Sequence, residues 1–257
     1  MTMMHFQAAR RVAPVTRTSV VLPDVVLAAA LRRLDQIAAG LVALGISANT
    51  VTSLCIALGA GAGVLLAFDQ FALAAVLMVI ASFGDAIDGL VARRSGTVSV
   101  GGALLDASGD RYQEFFFLGG LAVFFRESPF ALVATLGALA GSFMVSYSSA
   151  KAEGLAVPVP PGVMRRAERA VCLCLATAVT AFWEPWVAST GRPAWVGALP
   201  ILMAVSLIAV AANISAVRRL RLLAKGAPRM ASPARHSAKP EILTNDVPRD
   251  LARESSA

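Results

Sequence analysis

The run Asp85-Ala86-Ile87-Asp88-Gly89-Leu90-Val91-Ala92-Arg93 is followed, after eight residues, by Gly102 and then by Asp106 and Asp110. Asp85 and Asp88 are spaced i,i+3 and Asp106 and Asp110 i,i+4, so each pair shares one face of a helix. Long apolar runs extend outward on both sides, and the link 95–101 between them is short, polar and contains glycine. Two membrane helices therefore turn back on each other, with four carboxylates facing across the hairpin. Carboxylates on apolar helices are costly and mark function. A cage made only of carboxylate oxygens suits a hard divalent cation such as Mg²⁺, Mn²⁺ or Ca²⁺. The competing reading of the aspartates is a set of buried ion pairs with Arg93, Arg94 and Arg111.

Working outward, the chain of 257 residues is 57% hydrophobic and 15% charged, with a mean hydropathy of +0.69. A soluble domain averages about 25% charged residues, so the class is an all-α integral membrane protein. His5 and His236 lie outside the apolar body, which argues against zinc or haem. Cys55, Cys172 and Cys174 fit no zinc spacing and no disulfide framework and read as apolar packers. The net charge of +7 clusters beside apolar runs, where anionic lipid explains it better than nucleic acid. No apolar region with a cleavage site follows the N-terminal arginines, so a removable signal peptide is not expected.

The spacing predicts six transmembrane helices of about 20 residues, near 49–68, 71–93, 103–125, 129–150, 169–188 and 197–217. An amphipathic helix precedes them over Asp24–Gly40, with Leu27, Leu31, Leu34 and Ala38 opposite Arg32, Arg33, Asp35 and Gln36. It reads as lying in the membrane interface or as an ordinary packing helix. Asn49 or Thr50 is expected to cap the first span. Residues 1–23 read as a disordered basic arm, 24–225 as one membrane domain and 226–257 as a disordered polar tail. Arg32, Arg33, Arg93, Arg94, Lys151, Arg165, Arg166, Arg169, Arg218, Arg219 and Arg221 fall on one side, against Arg126 and Arg192 on the other. Both termini and the aspartates are thus expected at the cytoplasmic face of the cytoplasmic membrane.

The pattern Asp-x2-Asp-Gly-x2-Ala-Arg-x8-Gly-x3-Asp-x3-Asp resembles the signature of the CDP-alcohol phosphatidyltransferase family. All eight specified positions are filled: Asp85, Asp88, Gly89, Ala92, Arg93, Gly102, Asp106 and Asp110. The resemblance implies transfer of a phosphatidyl group from CDP-diacylglycerol, or another CDP-alcohol, to an acceptor hydroxyl, with release of CMP. It implies two divalent ions, Mg²⁺ or Mn²⁺, held by Asp85, Asp88, Asp106 and Asp110, with Asp110 also acting as general base. Gly89, Ala92, Arg93 and Gly102 are then expected to bind CDP, although Gly89 and Gly102 also suit helix packing. Asn49 and Thr52 resemble a further nucleotide element, Pro-Asn-x-x-Thr, in which Ala48 stands for the proline. A helix cap is the competing reading there. A homodimer is a further implication of the family.

The acceptor region resembles that of phosphatidylinositol-phosphate synthases. There the pattern Ser-Tyr-x-Lys-Ala-Arg-Ala-Glu precedes Arg-x-x-Arg. Here Ser146, Arg166 and Arg169 match, Lys151 stands in place of arginine and Ser149 in place of lysine. The first exchange loses bidentate geometry and the second removes a cation. A phosphorylated polyol such as inositol phosphate is the favoured acceptor, with glycerol 3-phosphate or another alcohol as alternatives. The competing reading makes these residues membrane-boundary anchors. A function of another class, a divalent-metal or proton-coupled transporter, also places carboxylates in a membrane, but at mid-depth and often within repeated halves. No repeat is found here.

Overall fold

The computed structural model describes residues 24–226 apart from 156 and 159–161. The expected basic arm 1–23 lies outside the described residues, as does the expected tail except for Gly226. Among the described residues the chain forms eight helices and no strand. They are α1 (Asp24–Ala43), α2 (Ala48–Ala67), α3 (Phe71–Ser95), α4 (Val100–Phe124), α5 (Pro129–Gly154), α6 (Arg166–Ser189), the short α7 (Ala194–Gly197) and α8 (Leu199–Gly226).

The helix ends depart from the hydropathy reading for local reasons. Ser47, in extended conformation, caps α2 by accepting from the Thr50 amide at 3.2 Å, so neither Asn49 nor Thr50 is the cap. Ser99 does the same for α4, accepting from the Gly102 amide at 3.0 Å and starting the helix at Val100 rather than 103. At the end of α3, Gly96 adopts φ +68°, a left-handed C-cap that glycine tolerates without a Cβ clash. α8 runs to Gly226 and keeps Arg218, Arg219, Arg221 and Lys225 helical, because Arg, Leu, Ala and Lys all favour helix. Hydropathy marks where apolar surface ends, and a helix continues past that point.

Five helices (α2, α3, α5, α6 and α8) are long and apolar enough to cross a membrane. α4 has the same length as α3 but carries Asp106, Asp110, Arg111 and Glu114 in its N-terminal part. Outward faces are apolar: Leu73, Val76, Ile80 and Phe83 on α3, and Met203, Leu207, Val210 and Ile214 on α8. The interior, by contrast, buries Thr135, Ser142 and Thr177 completely. Apolar groups outside and polar groups within is the arrangement that lipid selects, and the chain is an all-α integral membrane protein.

The bundle closes as a ring. α2 packs on both α3 and α4, α4 on α5, α5 on α8, α8 on α6, and α6 back on α3. α1 sits outside the ring against α3, with Ala38 buried against Ile87 and Val91. Its Asp35 accepts from Arg94 (Nε to Oδ1, 2.9 Å), and that hydrogen bond holds the Asp35 carboxyl below its ordinary range. Of the apolar positions that predicted α1, Leu34 and Ala38 pack on α3; the side chains of Leu27 and Leu31 lie outside the described residues. α3 and α4 scarcely touch. α2 packs on both of them, so the expected tight hairpin is a splayed one.

Small residues allow this three-helix contact. A Cβ on Gly63 would overlap the carbonyl oxygen of Phe116, and one on Gly120 the carbonyl of Gly63. Both obstacles are backbone and cannot rotate away. Overpacking costs about 1–3 kcal/mol and more where nothing can yield. Gly63→Ala and Gly120→Ala are therefore expected to lower the melting temperature in detergent markedly, while Gly119→Ala, which meets nothing within 4 Å, leaves it unchanged. Equal melting of all three would refute the close approach of α2 and α4.

Candidate metal centre and its flanking cavities

Asp85 and Asp88 lie about 15 and 10 Å from the C-terminal end of α3, and Asp106 and Asp110 about 9 and 15 Å from the start of α4, at 1.5 Å per residue. The site is thus recessed further from the helix ends than expected. Carboxylate oxygens of Asp85, Asp88 and Asp106 lie within 4.8 Å of one another. Asp88 is 4% exposed, and the Thr52 hydroxyl of α2 donates to its Oδ2 at 2.6 Å. Asp110 stands beside this trio. Arg166 of α6 joins the two parts: its Nη1 donates to Asp85 Oδ2 at 2.8 Å, and its Nη2 pairs with Asp110 Oδ1.

The ion-pair reading named Arg93, Arg94 and Arg111, and none of these pairs with the aspartates among the described residues. Arg94 is bound to Asp35, Arg111 donates to the Ala107 carbonyl, and Arg93 lies over Gly89. Arg166 brings one positive charge to four carboxylates. The trio offers oxygen ligands only, the donor set of a hard divalent cation, so these residues fit such an ion.

Two larger cavities flank the aspartates. The first, about 280 Å³, is lined by Asp88 and Asp106 together with all six residues expected to bind CDP: Asn49, Thr52, Gly89, Ala92, Arg93 and Gly102. Because Ser47 takes the capping role, the Asn49 side chain is left to line this space. Gly89 has a specific purpose here. A Cβ at this position would meet Arg93 Nη1 at 3.3 Å, so the glycine makes room for the guanidinium one turn on. A Cβ on Gly102 would meet Ser99 Oγ at 3.2 Å, crowding the cap of its own helix.

The second cavity, about 560 Å³, is lined by Asp110, Ser146, Ser149, Glu153 and the arginines Arg111, Arg165, Arg166, Arg169 and Arg219. Of the residues assigned from sequence to the acceptor, Ser146, Arg166 and Arg169 meet here, whereas Lys151 is exposed and does not line it. Arg166 reaches the aspartates themselves. Arg169 is 1% exposed and fully engaged: Nε and Nη2 donate to the two Glu114 oxygens at 2.6 and 3.0 Å, and Nη1 to the Met164 carbonyl at 2.7 Å.

Three lining residues were not singled out from sequence. Glu114 follows Asp110 by one helical turn, so the run Asp106, Asp110, Glu114 was a readable signal. Arg165 and Arg219 were read only as membrane-boundary charges. Arg219 Nε is buried with no hydrogen-bond acceptor among the described residues, and its proximity to the site depends on α8 packing against α5 and α6.

A family model described as CDP-alcohol phosphatidyltransferase matches residues 45–217, from just before α2 into α8. The chain is 34% identical over 146 residues to a phosphatidylinositol phosphate synthase of Streptomyces avermitilis, a match covering 54% of this chain and 59% of that relative. It is 32% identical to the phosphatidylinositol phosphate synthase of Mycobacterium marinum, over 75% of this chain and 80% of the relative. Among solved structures, the phosphatidylinositol phosphate synthase of Mycobacterium tuberculosis with CDP-DAG bound superimposes with a TM-score of 0.65 at 27% identity. That match covers 75% of this chain and 94% of the other. The same enzyme in complex with manganese and citrate matches equally well, with a TM-score of 0.65 at 27% identity over 74% of this chain and 88% of the other.

Proposed function

The chain belongs to the CDP-alcohol phosphatidyltransferase family, and on that premise we propose that it moves the phosphatidyl group of CDP-diacylglycerol onto a hydroxyl of a phosphorylated polyol, inositol phosphate foremost, and releases CMP. The observation that carries this reading is the position of the aspartates between two cavities. Asp88 and Asp106 line the one that gathers the nucleotide-type residues, and Asp110 lines the one rich in arginine. A donor and an acceptor entering from the two sides meet at the carboxylates.

In this reading Asp85, Asp88, Asp106 and Asp110 hold two divalent ions, Mg²⁺ or Mn²⁺. When bound, these supply neutralising charge to the pyrophosphate and to the leaving oxygen. Asp110 accepts the proton of the acceptor hydroxyl, whose oxygen bonds to the phosphatidyl phosphorus as the bond to CMP breaks. Arg166 keeps the Asp110 carboxylate in place. Thr52 fixes Asp88, and Arg93 pairs with a donor phosphate through its planar fork. Arg219 and Arg165, with Ser146, receive the acceptor phosphate. They compensate for the cation missing at Ser149. Arg169 instead holds Glu114, and Lys151 acts as a membrane-boundary charge. Family membership displaces the transporter reading.

The same proposal includes α4 as a sixth span, with Asp106, Asp110 and Glu114 turned to the site. Both termini and the site lie on the cytoplasmic side, on the strength of the arginine and lysine distribution. It takes residues 24–225 as a single membrane domain and the assembly as a homodimer, the latter on the family's account and testable by light scattering in detergent. The deciding experiment is CMP release from CDP-diacylglycerol by purified protein with Mg²⁺, offered inositol phosphate, free inositol, glycerol 3-phosphate, serine or buffer. Release is expected with inositol phosphate, to vanish with EDTA, and to return with Mg²⁺ or Mn²⁺. Release driven by glycerol 3-phosphate or serine instead would overturn the acceptor, and release that survives EDTA would overturn the ions.

A further inference from the structure

A third cavity, of about 20 Å³, adjoins the acceptor side and is lined by Asp110, Glu114 and Arg166 together with Ser82, Gln113 and Phe117. A water needs about 10–15 Å³ and two to four polar partners, so this space suits one water and nothing larger. Gln113 is 3% exposed, and its Nε2 finds no hydrogen-bond acceptor among the described residues. A buried amide donor left unmade is costly. Both Glu114 oxygens already accept from Arg169, whereas the buried Asp110 Oδ1 is ion-paired with Arg166 but accepts no well-directed hydrogen bond among the described residues, so the Asp110 carboxylate is the acidic acceptor whose hydrogen bonding is unmet in the cavity. Asp110 and Gln113 are i,i+3 on α4 and share a face.

We propose that Gln113 is a positioning residue for Asp110, acting through one water held between its carboxamide and the Asp110 carboxylate. Gln113 N–H donates to the water, and the water donates to Asp110. Arg166 grips the carboxylate through Oδ1, so the two contacts together set the plane of the group that faces the acceptor. α2 sets the Gln113 side chain in turn, since a Cβ on Gly59 would stand 2.9 Å from Gln113 Cγ. The inference rests on the reading of Asp110 as general base.

The test uses purified full-length protein, CDP-diacylglycerol, Mg²⁺ and whichever acceptor of the panel drives CMP release fastest. Gln113→Met keeps the length of the side chain and removes its donor. Its kcat is expected to fall roughly tenfold, as a misaimed reacting group does, with KM for donor and acceptor within about twofold of the parent. Gln113→Asn keeps an amide and is expected to recover most of that loss. Gly59→Ala, which displaces Gln113 without touching its chemistry, is expected to reproduce it. An unchanged kcat in Gln113→Met, an equal loss in the Met and Asn variants, or a loss confined to KM each overturns the proposal. Asp110→Asn run in parallel separates the two readings. If it is active, the base assignment fails; if it is inactive beside a fully active Gln113→Met, only the positioning role fails.

Discussion

Asp110→Asn is expected to reduce CMP release by about a thousandfold or more, since general acid–base catalysis contributes about 10²–10⁴ and the same carboxylate is assigned to a metal. Asparagine matches the shape of aspartate and keeps an oxygen beside Arg166, whose guanidinium is also held by Asp85, so the packing between α4 and α6 survives. What it lacks is basicity and a full negative charge. Thermal unfolding in detergent should stay close to that of the parent, and CDP binding should persist, because Asp110 does not line the cavity that gathers Asn49, Thr52 and Arg93. The decisive pair of numbers is turnover against donor binding. Activity within tenfold of the parent would remove Asp110 from the role of base. Loss of CDP binding together with turnover would assign it to the donor side.

Arg169→Leu is expected to cost about 3–5 kcal/mol of stability, the range for removing one partner of a buried ion pair. Arg169 is 1% exposed and its partner Glu114 11%, as side chains, so the variant leaves a buried carboxylate without a cation. Arg169→Lys should also be damaging, because a single ammonium cannot reproduce the two-point contact with Glu114 and the bond to the Met164 carbonyl. The double variant Arg169→Leu with Glu114→Leu should regain most of the loss, since an apolar pair of similar volume often matches a buried ion pair. Chemical or thermal unfolding in detergent measures this directly. A stable Arg169→Leu whose only defect is a raised KM for the acceptor would reverse the assignment and return Arg169 to the substrate.

These two arginine assignments illustrate what spacing conveys and what it omits. Arg166 and Arg169 are i,i+3 on one helix and appear in the sequence as a matched pair. In the bundle, Arg166 turns to the aspartates of α3 and α4 while Arg169 is clamped by Glu114. Which carboxylate each guanidinium meets depends on the angle at which α6 crosses α3 and α4, and no property of the local sequence encodes that angle. The same applies to Asn49. Its amide could have capped α2, but Ser47 lies at the residue where the backbone becomes extended, and Asn49 is left facing the cavity.

The sequence by itself determined the membrane class, the approximate helices and the aspartate faces, because each follows from short-range physics: apolar runs of bilayer length and the 3.6-residue turn that aligns Asp85 with Asp88 and Asp106 with Asp110. It also grouped the first cavity's residues from α3 and α4, since the eight-position pattern ties Asp88, Gly89, Ala92, Arg93, Gly102 and Asp106 to one hairpin, while Asn49 and Thr52 came from a separate element on α2. Only the tertiary structure decided that α2 packs on both arms of a splayed hairpin, that Asp110 sits on the acceptor side of the trio, and that Arg219 arrives from a helix more than a hundred residues later in the chain. Those features arise from close packing between distant segments, where glycines such as Gly63 and Gly120 allow backbones to touch and one added methyl group would change the geometry of the site.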